Sequence, residues 1–393
     1  MNHPLADRTP QVLAEHGALR YYNRSFDRIT CRTPRPLDKL DAKYTFQNVT
    51  TTDDPVIRRL AAAATANVYI TSHILALLMS ATRSAYPWDI IVQRVGDTLF
   101  FDKRDGSIID YWTVNETAYD PPRDEPKTSQ DGNPVAKGPD DAAATAPAAI
   151  NTFQALAMEA TLVNQNFSQA ACEQSAAVYN LAQPSPFEPD AGEELPSIGY
   201  VYKKWQMTPD IAVVVRTEVD AALSPTEPGG KPLRLVVKTL NEVMDSKQPS
   251  NWRARLDAQR GAVLATELKN NAGKLARWTA QAILAEADQM KVGFVSRVHQ
   301  RKNSAHVVLG TQMSKPKDFA AQINLNVGTM WGVFKYLVDT CYKHVPEKGG
   351  KAIIVKDPNA PMLRVYRIPE DAFEDPEAED EDEEEEDDDE EEE

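Results

Sequence analysis

The chain has 393 residues, of which 42% are hydrophobic, 26% charged and 8% aromatic, so it can bury the core of one large domain or two ordinary ones. This composition excludes wholesale disorder and a collagen-like repeat. The formal charge of −16 is concentrated at the end of the chain, since 20 of the 24 residues from Glu370 to Glu393 are Asp or Glu. The remaining chain holds 43 basic and 39 acidic residues and carries about +4.

No apolar run approaches the roughly 20 residues of a membrane-spanning helix, and the start, MNHPLADRTP, lacks the apolar stretch of a signal peptide. We therefore expect a cytoplasmic protein without membrane association. Cys31, Cys172 and Cys341 are far apart and form no CxxC pair, and the six His are scattered. This spacing argues against a disulfide framework and a zinc site. We expect buried cysteines and no cofactor.

Residues 1–55 are polar and weakly periodic, which predicts an arm lying on the body. Asp54-Pro55 provides an N-cap and a first-turn proline for a helix through VIRRLAAAATA, and a second helix is expected near Thr71 to Arg83. The alternation in WDIIVQRVGDTLFFDKRDG predicts a hairpin with its turn at Gly96-Asp97.

Residues from about 119 to 150 are rich in Pro, Asp, Gly and Ala, and residues 370–393 are almost entirely acidic. Neither segment offers enough apolar area to offset its chain entropy. We expect a disordered insertion and a disordered tail on either side of ordered sequence, with residues 56–369 forming one domain. The tail is expected either to compete with RNA for a basic groove or to serve as a solvated solubility segment.

The remaining pattern predicts long helices and short strands in irregular order. Helices are expected at Phe153 to Gln165, Trp252 to Leu268, Leu275 to Ala287 and Val327 to Tyr342. Strands are expected at Ile198 to Trp205, Ile211 to Val219, Leu233 to Lys238, Lys291 to Arg297 and His306 to Leu309, and around Ile353 and Val365. Such an order favours a mixed α/β fold with sheets at the centre and helices outside.

Several carboxylates are candidates for a site. Glu218 and Asp220 are two residues apart on a predicted strand, so they share a face. Lys238 ends a following strand, and Glu159 lies on a helix. Such oxygen-rich clusters suit magnesium that polarises a phosphodiester. The alternative is that the acids form a solvated face or salt bridges.

Longer strings carry a family resemblance. TTTDDPVIRRLA, YPWDIIVQRVGDTLFFDKRDG, LAMEATLVNQNFSQ, LDAQRGAVLATELKNNAGKLARWTAQAIL and NLNVGTMWG resemble the d subunit of eukaryotic translation initiation factor 3. The resemblance implies two central β-sheets flanked by helices, as in the Rai1/DXO cap-processing nucleases. It also implies binding of the 7-methylguanosine cap in initiation, with capped mRNA, other subunits of the factor and the 40S ribosomal subunit as partners.

The nuclease motifs are similar to three segments of this chain: Ala155 to Glu159, Glu218-Val219-Asp220 and Val236-Val237-Lys238. Val236 stands where the nucleases have a glutamate. Because a valine cannot ligate a hard cation, we expect a nuclease-shaped groove without nuclease activity or metal. Glu159, Glu218 and Asp220 are then expected to be structural acids paired with Lys238 or a nearby Arg.

The resemblance assigns cap contacts to two helices, one from Asp54 to Tyr69 and the other containing the polar residues of LAMEATLVNQNF. A cap site needs an aromatic surface for the cationic base and an acceptor for guanine N–H groups, which makes Tyr69 a candidate for stacking and Asp54 for accepting. Asp54 as a simple N-cap and Val68 as a core residue are the alternatives. The assigned residues are Asp54, Val68, Tyr69, Thr161, Asn164 and Gln165.

The resemblance also implies an RNA gate in IIDYWTVNETAYDPP. Its Tyr111 and Trp112 are candidates to lie over a base, and the alternative is a loop with two packing aromatics. The gate residues are Ile108, Ile109, Asp110, Tyr111, Trp112, Thr113, Val114, Asn115, Glu116, Thr117, Ala118, Tyr119, Asp120, Pro121 and Pro122.

Two other functions stay open from the sequence. One is an active nuclease for the 5′ end or the cap, which Val236 disfavours. The other is a scaffold whose acidic tail binds basic partners. Trp205, Trp278 and Trp331 are expected in the core, and Arg260 and Lys269 are candidates for phosphate contacts or helix-surface ion pairs.

Overall fold

The computed structural model describes residues 3–40, 42–116, 150–175, 177–225, 227, 229–242, 244–245, 248–249, 251–360 and 362–373. Most of the expected insertion and residues 374–393 of the expected tail lie outside these ranges. None of the helices in the described ranges has the length and apolar character needed to span a bilayer.

The helices and strands alternate irregularly along the chain, as expected. The α-helices are α1 (Pro55–Ala62), α2 (Ser72–Met79), α3 (Phe153–Ala170), α4 (Trp252–Arg255), α5 (Arg260–Asn270), α6 (Ala272–Leu284), α7 (Pro316–Gln322) and α8 (Val327–His344). The first eight strands are β1 (Gln11–Arg20), β2 (Arg35–Leu37), β3 (Val68–Thr71), β4 (Trp88–Val95), β5 (Thr98–Asp102), β6 (Val178–Asn180), β7 (Ile198–Gln206) and β8 (Ala212–Val219). The rest are β9 (Ala221–Leu223), β10 (Leu233–Asn241), β11 (Met244–Asp245), β12 (Gln248–Pro249), β13 (Gln289–His299), β14 (Lys302–Ser314), β15 (Gly350–Lys356) and β16 (Leu363–Ile368).

Two large sheets form the centre of the described structure. The larger has nine strands in the order β16-β15-β4-β5-β3-β8-β7-β1-β6, and the smaller has five in the order β2-β14-β13-β10-β9. β3 pairs in parallel with β5 and β8, and β10 pairs in parallel with β13. The fold class expected from the sequence, mixed α/β with two sheets and flanking helices, is confirmed.

Three hydrophobic clusters define the layers. The largest joins Val213 and Val215 of the larger sheet to Val236 and Phe294 of the smaller sheet. Helices α2 and α6 contribute to this cluster, and α6 contacts both β8 and β13. Helix α3 covers the opposite face of the smaller sheet, and α1 covers the opposite face of the larger one.

The segment that the sequence suggested was an arm supplies a strand. β1 lies between β7 and β6 in the larger sheet and pairs antiparallel with both. Its sequence gives only a weak strand pattern, because buried and exposed residues do not alternate regularly along it. Residues 11–20 are therefore part of the domain, and β1 is held by backbone pairing with β7.

The expected helix from Asp54 to Tyr69 is wrong in its second half. Helix α1 ends at Ala62, and Ala64 adopts a left-handed φ of 47°. Val68 and Tyr69 belong to β3, whose β-branched and aromatic residues fit between two parallel neighbours. The expected helix from Trp252 to Leu268 is likewise divided into α4 and α5.

Gly293 of β13 permits a close approach between sheet and helix. A Cβ atom at this position would lie 2.6 Å from Cζ of Phe167 on α3. We expect Gly293→Ala to cost about 1–3 kcal/mol of unfolding free energy, because the Phe167 ring is fully buried and must move. Urea denaturation measures this change.

Gly261 provides the matched control, since it lies on α5 and a Cβ atom added to it would have nothing within 4 Å. Gly261→Ala is expected to stabilise the protein by up to about 1 kcal/mol. Equal effects of the two substitutions would contradict the packing account.

Candidate functional site

The chain crosses from the larger to the smaller sheet at Asp220. β8 ends at Val219 and β9 begins at Ala221. Asp220 donates its backbone N–H to the Leu235 carbonyl at 2.9 Å, and its Oδ2 accepts the Val237 N–H at 2.7 Å. The Nζ of Lys238 lies 3.6 Å from the same oxygen. This carboxylate therefore fastens β10 to the crossover and lies beside Lys238.

Glu218 pairs with a buried arginine two residues earlier on β8. Nη2 of Arg216 lies 3.3 Å from Oε1 of Glu218, and Nη1 lies 3.0 Å from Oδ2 of Asp54. Burial opposes the charge of Arg216, but the carboxylates of Glu218 and Asp54 outweigh it, so the pKa of Arg216 is raised. The Glu218 side chain is 40% exposed, so one acid of this group faces solvent.

Glu159 forms a separate ion cluster with the β13–β14 hairpin. Its Oε1 accepts from Nε of Arg297 and from Nε2 of His306, both at 2.7 Å. Burial alone would raise the pKa of Glu159, but the bonds from Arg297 and His306 outweigh it and lower the pKa. Arg297 also donates to Oδ1 of Asn151 at 2.8 Å. Glu159 thus ties α3 to the smaller sheet through its ion pair with Arg297.

Val236 faces the main hydrophobic core and is 2% exposed, whereas its neighbours Leu235 and Val237 face the cluster under α3. An aliphatic side chain at this position supplies no oxygen to a cation. Within the described ranges, no three His, Cys, Asp or Glu side chains group closely enough to hold a metal ion. The three acids named by the nuclease motifs are instead each engaged by a cationic side chain.

Asp54 is fully buried and serves as more than a helix cap. Its Oδ1 accepts the N–H groups of Val56 and Ile57, both at 2.9 Å. The Tyr202 hydroxyl donates to Oδ2 at 2.9 Å, and Arg216 donates to the same oxygen. Asp54 is therefore the N-cap of α1 and also a partner of Tyr202 and Arg216. A bound base would have to displace one of these partners to reach Asp54.

Tyr69 and Val68 are both fully buried on β3. The Tyr69 hydroxyl donates to the Leu60 carbonyl at 2.9 Å, and the ring stacks on Phe100 with centroids 5.3 Å apart. The expectation that Tyr69 presents a free stacking surface is wrong for this structure, because the ring is part of the core. Val68 is a core residue, as its alternative interpretation stated.

The three polar residues on α3 point to neighbouring segments. Oγ1 of Thr161 accepts the Trp112 N–H at 2.8 Å, and Oδ1 of Asn164 accepts the Thr239 N–H of β10 at 3.0 Å. Gln165 is half-buried. Thr161 and Asn164 therefore place this helix between β10 and the first half of the expected gate.

The described half of the expected gate, residues 108–116, is packed rather than open. We call it the gate stem. Trp112 is 8% exposed, its ring lies 5.5 Å from that of Trp278, and the Arg277 guanidinium lies 4.7 Å above it. Trp112 is therefore packed in the core of this structure, while Tyr111 is half-buried. Thr117 to Pro122 lie outside the described residues.

Buried ionisable groups hold the gate stem against α6. Oε2 of Glu116 accepts the Gly273 N–H at 2.9 Å, and Nζ of Lys274 donates to the Thr113 carbonyl at 2.5 Å. Burial lowers the pKa of Lys274 to about 8 and raises the pKa of nearby Glu267 to about 7. The stem is thus anchored where α5 meets α6.

The cationic partners are the functional residues that sequence reasoning missed. Arg216 was detectable in principle, because it precedes Glu218 by two residues on one strand. Arg297 and His306 had no such signal, since they lie more than 130 residues from Glu159. Lys203 is another such residue, since it is fully buried and donates to the Ala285 carbonyl at 2.7 Å.

The Arg216–Asp54 pair yields a stability prediction. We expect Asp54→Ala to lower the free energy of unfolding by about 3–5 kcal/mol, because it removes the α1 cap and leaves a buried arginine with one partner fewer. Asp53→Ala is the matched control, since Asp53 is 58% exposed and pairs with exposed Arg58. Asp53→Ala should change the free energy of unfolding, measured in urea, by about 1 kcal/mol or less. Comparable losses would refute the hub role of Asp54.

Glu267 yields a pH prediction. Its folded pKa of about 7 lies above the ordinary value of 4.5, so the folded state retains a proton that the unfolded state releases. Its contribution to stability is full below about pH 4.5 and is lost as the pH rises through 7. Glu267→Gln should remove this loss, which is about 1–3 kcal/mol. Urea unfolding at pH values between 4.5 and 7 measures the free energy of unfolding of Glu267→Gln and of Glu347→Gln, an exposed control. If Glu267→Gln has the same dependence of this free energy on pH as the unmodified chain, the prediction is wrong.

Comparisons with known proteins place this chain in a family. Residues 2–367 match the family model described as eukaryotic translation initiation factor 3 subunit 7. The D subunit of this factor from Homo sapiens is 47% identical over 368 residues, which is 93% of this chain and 62% of the relative. The D subunit from Nasonia vitripennis is 45% identical over 91% of this chain and 59% of the relative. The chain therefore spans about three fifths of the length of these relatives.

Solved structures similar to the fold include Rai1 from Scheffersomyces stipitis, with a TM-score of 0.52, 11% identity and coverage of 95% of this chain and 94% of that chain. Rai1 from Candida albicans in complex with pU5 and Mn²⁺ has a TM-score of 0.51, 12% identity and 95% coverage of both chains. At these identities the likeness concerns the fold alone.

Proposed function

Since the chain belongs to the D-subunit family of eukaryotic translation initiation factor 3, we propose that it acts in translation initiation by binding the 7-methylguanosine cap of mRNA without cutting RNA. Its proposed partners are capped mRNA, other subunits of the factor and the 40S ribosomal subunit, in the cytoplasm. We propose residues 56–369, together with β1, as the cap-binding domain.

The observation that carries the non-catalytic part is the pairing of the acids. Glu159 is held by Arg297 and His306, Asp220 by Lys238, and Glu218 by Arg216. A phosphodiester-cleaving metal needs such oxygens free and convergent. The valine at position 236 removes a further oxygen. These features support a binding groove in which the ancestral ligands now stabilise the fold.

The proposed cap site lies on the exposed side of this junction. Glu218 is the half-exposed carboxylate, suited to accept guanine N–H groups, and it is held in position by Arg216. Thr161, Asn164 and Gln165 supply neutral polar groups on α3, and Asn164 is bonded to β10 one residue beyond Lys238. Asp54, Val68 and Tyr69 support the site from within, because Asp54 fixes Arg216 and the other two build β3.

Competition by cap analogues tests the proposal. We expect methylated m7GpppG to displace a capped RNA oligonucleotide from the full chain, and unmethylated GpppG to displace it poorly. Glu218→Gln should weaken binding of the capped RNA about 10- to 100-fold, because one charge-assisted hydrogen bond contributes about 1.5–3 kcal/mol. Glu194→Gln, an exposed acid paired with Arg20 and Lys43, should leave binding unchanged.

Contrary outcomes are distinct. Equal displacement by both analogues would refute cap recognition. Magnesium-dependent release of a capped product from the same RNA would refute the absence of nuclease activity. Binding to 40S subunits that is lost on removal of residues 374–393, with no affinity for cap, would favour the scaffold function instead.

A further inference from the structure

An arginine-rich segment precedes and forms the edge of the smaller sheet. Arg24, Arg28, Arg32 and Arg35 follow one another at intervals of four, four and three residues. The first two begin and end a 3-10 helix, Arg32 lies in the turn that follows, and Arg35 begins β2. The side chains of Arg24, Arg28 and Arg32 are exposed, and that of Arg35 is half-buried.

Helix α4 brings a fifth arginine to this surface. The Cys31 N–H donates to Oδ2 of Asp257 at 3.0 Å, and the Cys31 Sγ–H donates to the Trp252 carbonyl at 3.4 Å. The turn carrying Arg32 therefore packs against the end of α4, where Arg255 is exposed. We call Arg24, Arg28, Arg32, Arg35 and Arg255 the arginine strip.

The carboxylates next to the strip are already engaged. Asp27 forms an ion pair with buried Lys291 and accepts the Tyr22 hydroxyl at 2.8 Å. Asp257 accepts the Cys31 N–H. Among the described residues, no acidic side chain forms a salt bridge with Arg24, Arg28, Arg32 or Arg255. Arg216 and Arg297 of the candidate site are paired with carboxylates, whereas these exposed guanidinium groups have no such partner among the described residues.

The strip's chemistry favours a phosphate backbone over bases. Guanidinium groups bind phosphate oxygens through two parallel N–H donors, and they keep their charge at every physiological pH. The aromatic ring in this segment, Phe26, is 1% exposed and lies 4.3 Å beneath the Arg35 guanidinium. It is therefore closed to base stacking, and contact through the backbone requires no particular sequence.

The strip is joined to the proposed cap-binding helix. The Phe26 ring packs edge-on against Phe167 of α3, with centroids 5.9 Å apart. Phe167 lies on the same helix as Thr161, Asn164 and Gln165, toward its C-terminal end. The segment that carries the strip therefore packs against the helix that carries those residues.

We propose that the arginine strip is a second RNA contact, which binds the phosphate backbone of single-stranded RNA beside the cap site. This inference rests on the proposed function for the identity of the ligand, and it assigns a surface that the proposed cap contacts do not include. Its affinity is electrostatic and independent of both the cap and the base sequence.

The test measures binding of an uncapped oligo(U) of about 20 nucleotides, longer than a typical single-strand site, to the full chain by fluorescence anisotropy at several salt concentrations. Arg24, Arg28 and Arg32 are changed together to Gln. Neutralising three phosphate contacts should reduce the slope of log K against log[salt] by about 2 and weaken binding on the order of 100-fold at ~50 mM salt. Changing the same three residues to Lys should restore most of the slope.

A matched control removes three exposed cations elsewhere. Lys343 lies on α8, and Arg364 and Arg367 lie on β16 at the far edge of the larger sheet. Changing these three to Gln removes the same charge and should leave the slope close to that of the unmodified chain. Equal losses of affinity and salt slope in the two Gln variants would overturn the proposal. It would also be overturned if the full chain did not bind oligo(U) and binding appeared only after removal of residues 374–393. That last result would assign the strip to the acidic tail.

The cap-analogue experiment separates this inference from the proposed function. If m7GpppG displaces capped RNA normally while the strip and control variants behave alike, the strip proposal fails and the cap proposal stands. If the strip variant alone loses its salt slope and m7GpppG displaces nothing, the strip proposal stands and the cap proposal fails.

Discussion

A buried arginine cannot remain in a protein interior without partners, and the structure around β8 follows from that constraint. Arg216 is held by Asp54 on one side and Glu218 on the other. Asp54 in turn caps α1 and accepts the Tyr202 hydroxyl of β7. Helix α1, the centre of the larger sheet and the half-exposed Glu218 are therefore fixed by one chain of charges. Breaking a buried pair leaves a charge uncompensated, which costs far more than the pair contributes by itself.

The same constraint accounts for the surroundings of Asp220 and Glu159, each of which lies beside a cationic side chain. Asp220 holds β10 through the Val237 N–H and Lys238, and Glu159 holds the β13–β14 hairpin through Arg297 and His306. Each carboxylate is needed for packing once a cation is buried beside it. Val236 fits this arrangement, because its neighbours in the main core are apolar.

Charge is distributed unevenly over the chain, and this distribution has physical consequences for RNA. Arg216, Arg297 and Lys291 in the interior are paired with carboxylates, the arginine strip is exposed without salt bridges among the described residues, and 20 of the 24 residues from Glu370 onward are acidic. An RNA strand that reaches the proposed cap site meets positive charge at the C-terminal end of α3. Under the two proposals, affinity for the backbone and selectivity for the cap would reside on different residues and would respond differently to salt.

The sequence by itself determined several local elements and the family resemblance. The Asp54-Pro55 cap, the hairpin at Gly96-Asp97 and the long helix α8 follow from capping residues and period, and the substitution at Val236 is visible in three letters. Contacts between distant segments were decided by the tertiary structure. Tyr69 became a core residue because β3 is flanked by two parallel strands, and Trp112 was buried because Trp278 and Arg277 lie over it. Local patterns encode backbone preference and the side that is apolar, but they carry no information on which of many similar segments will pack together.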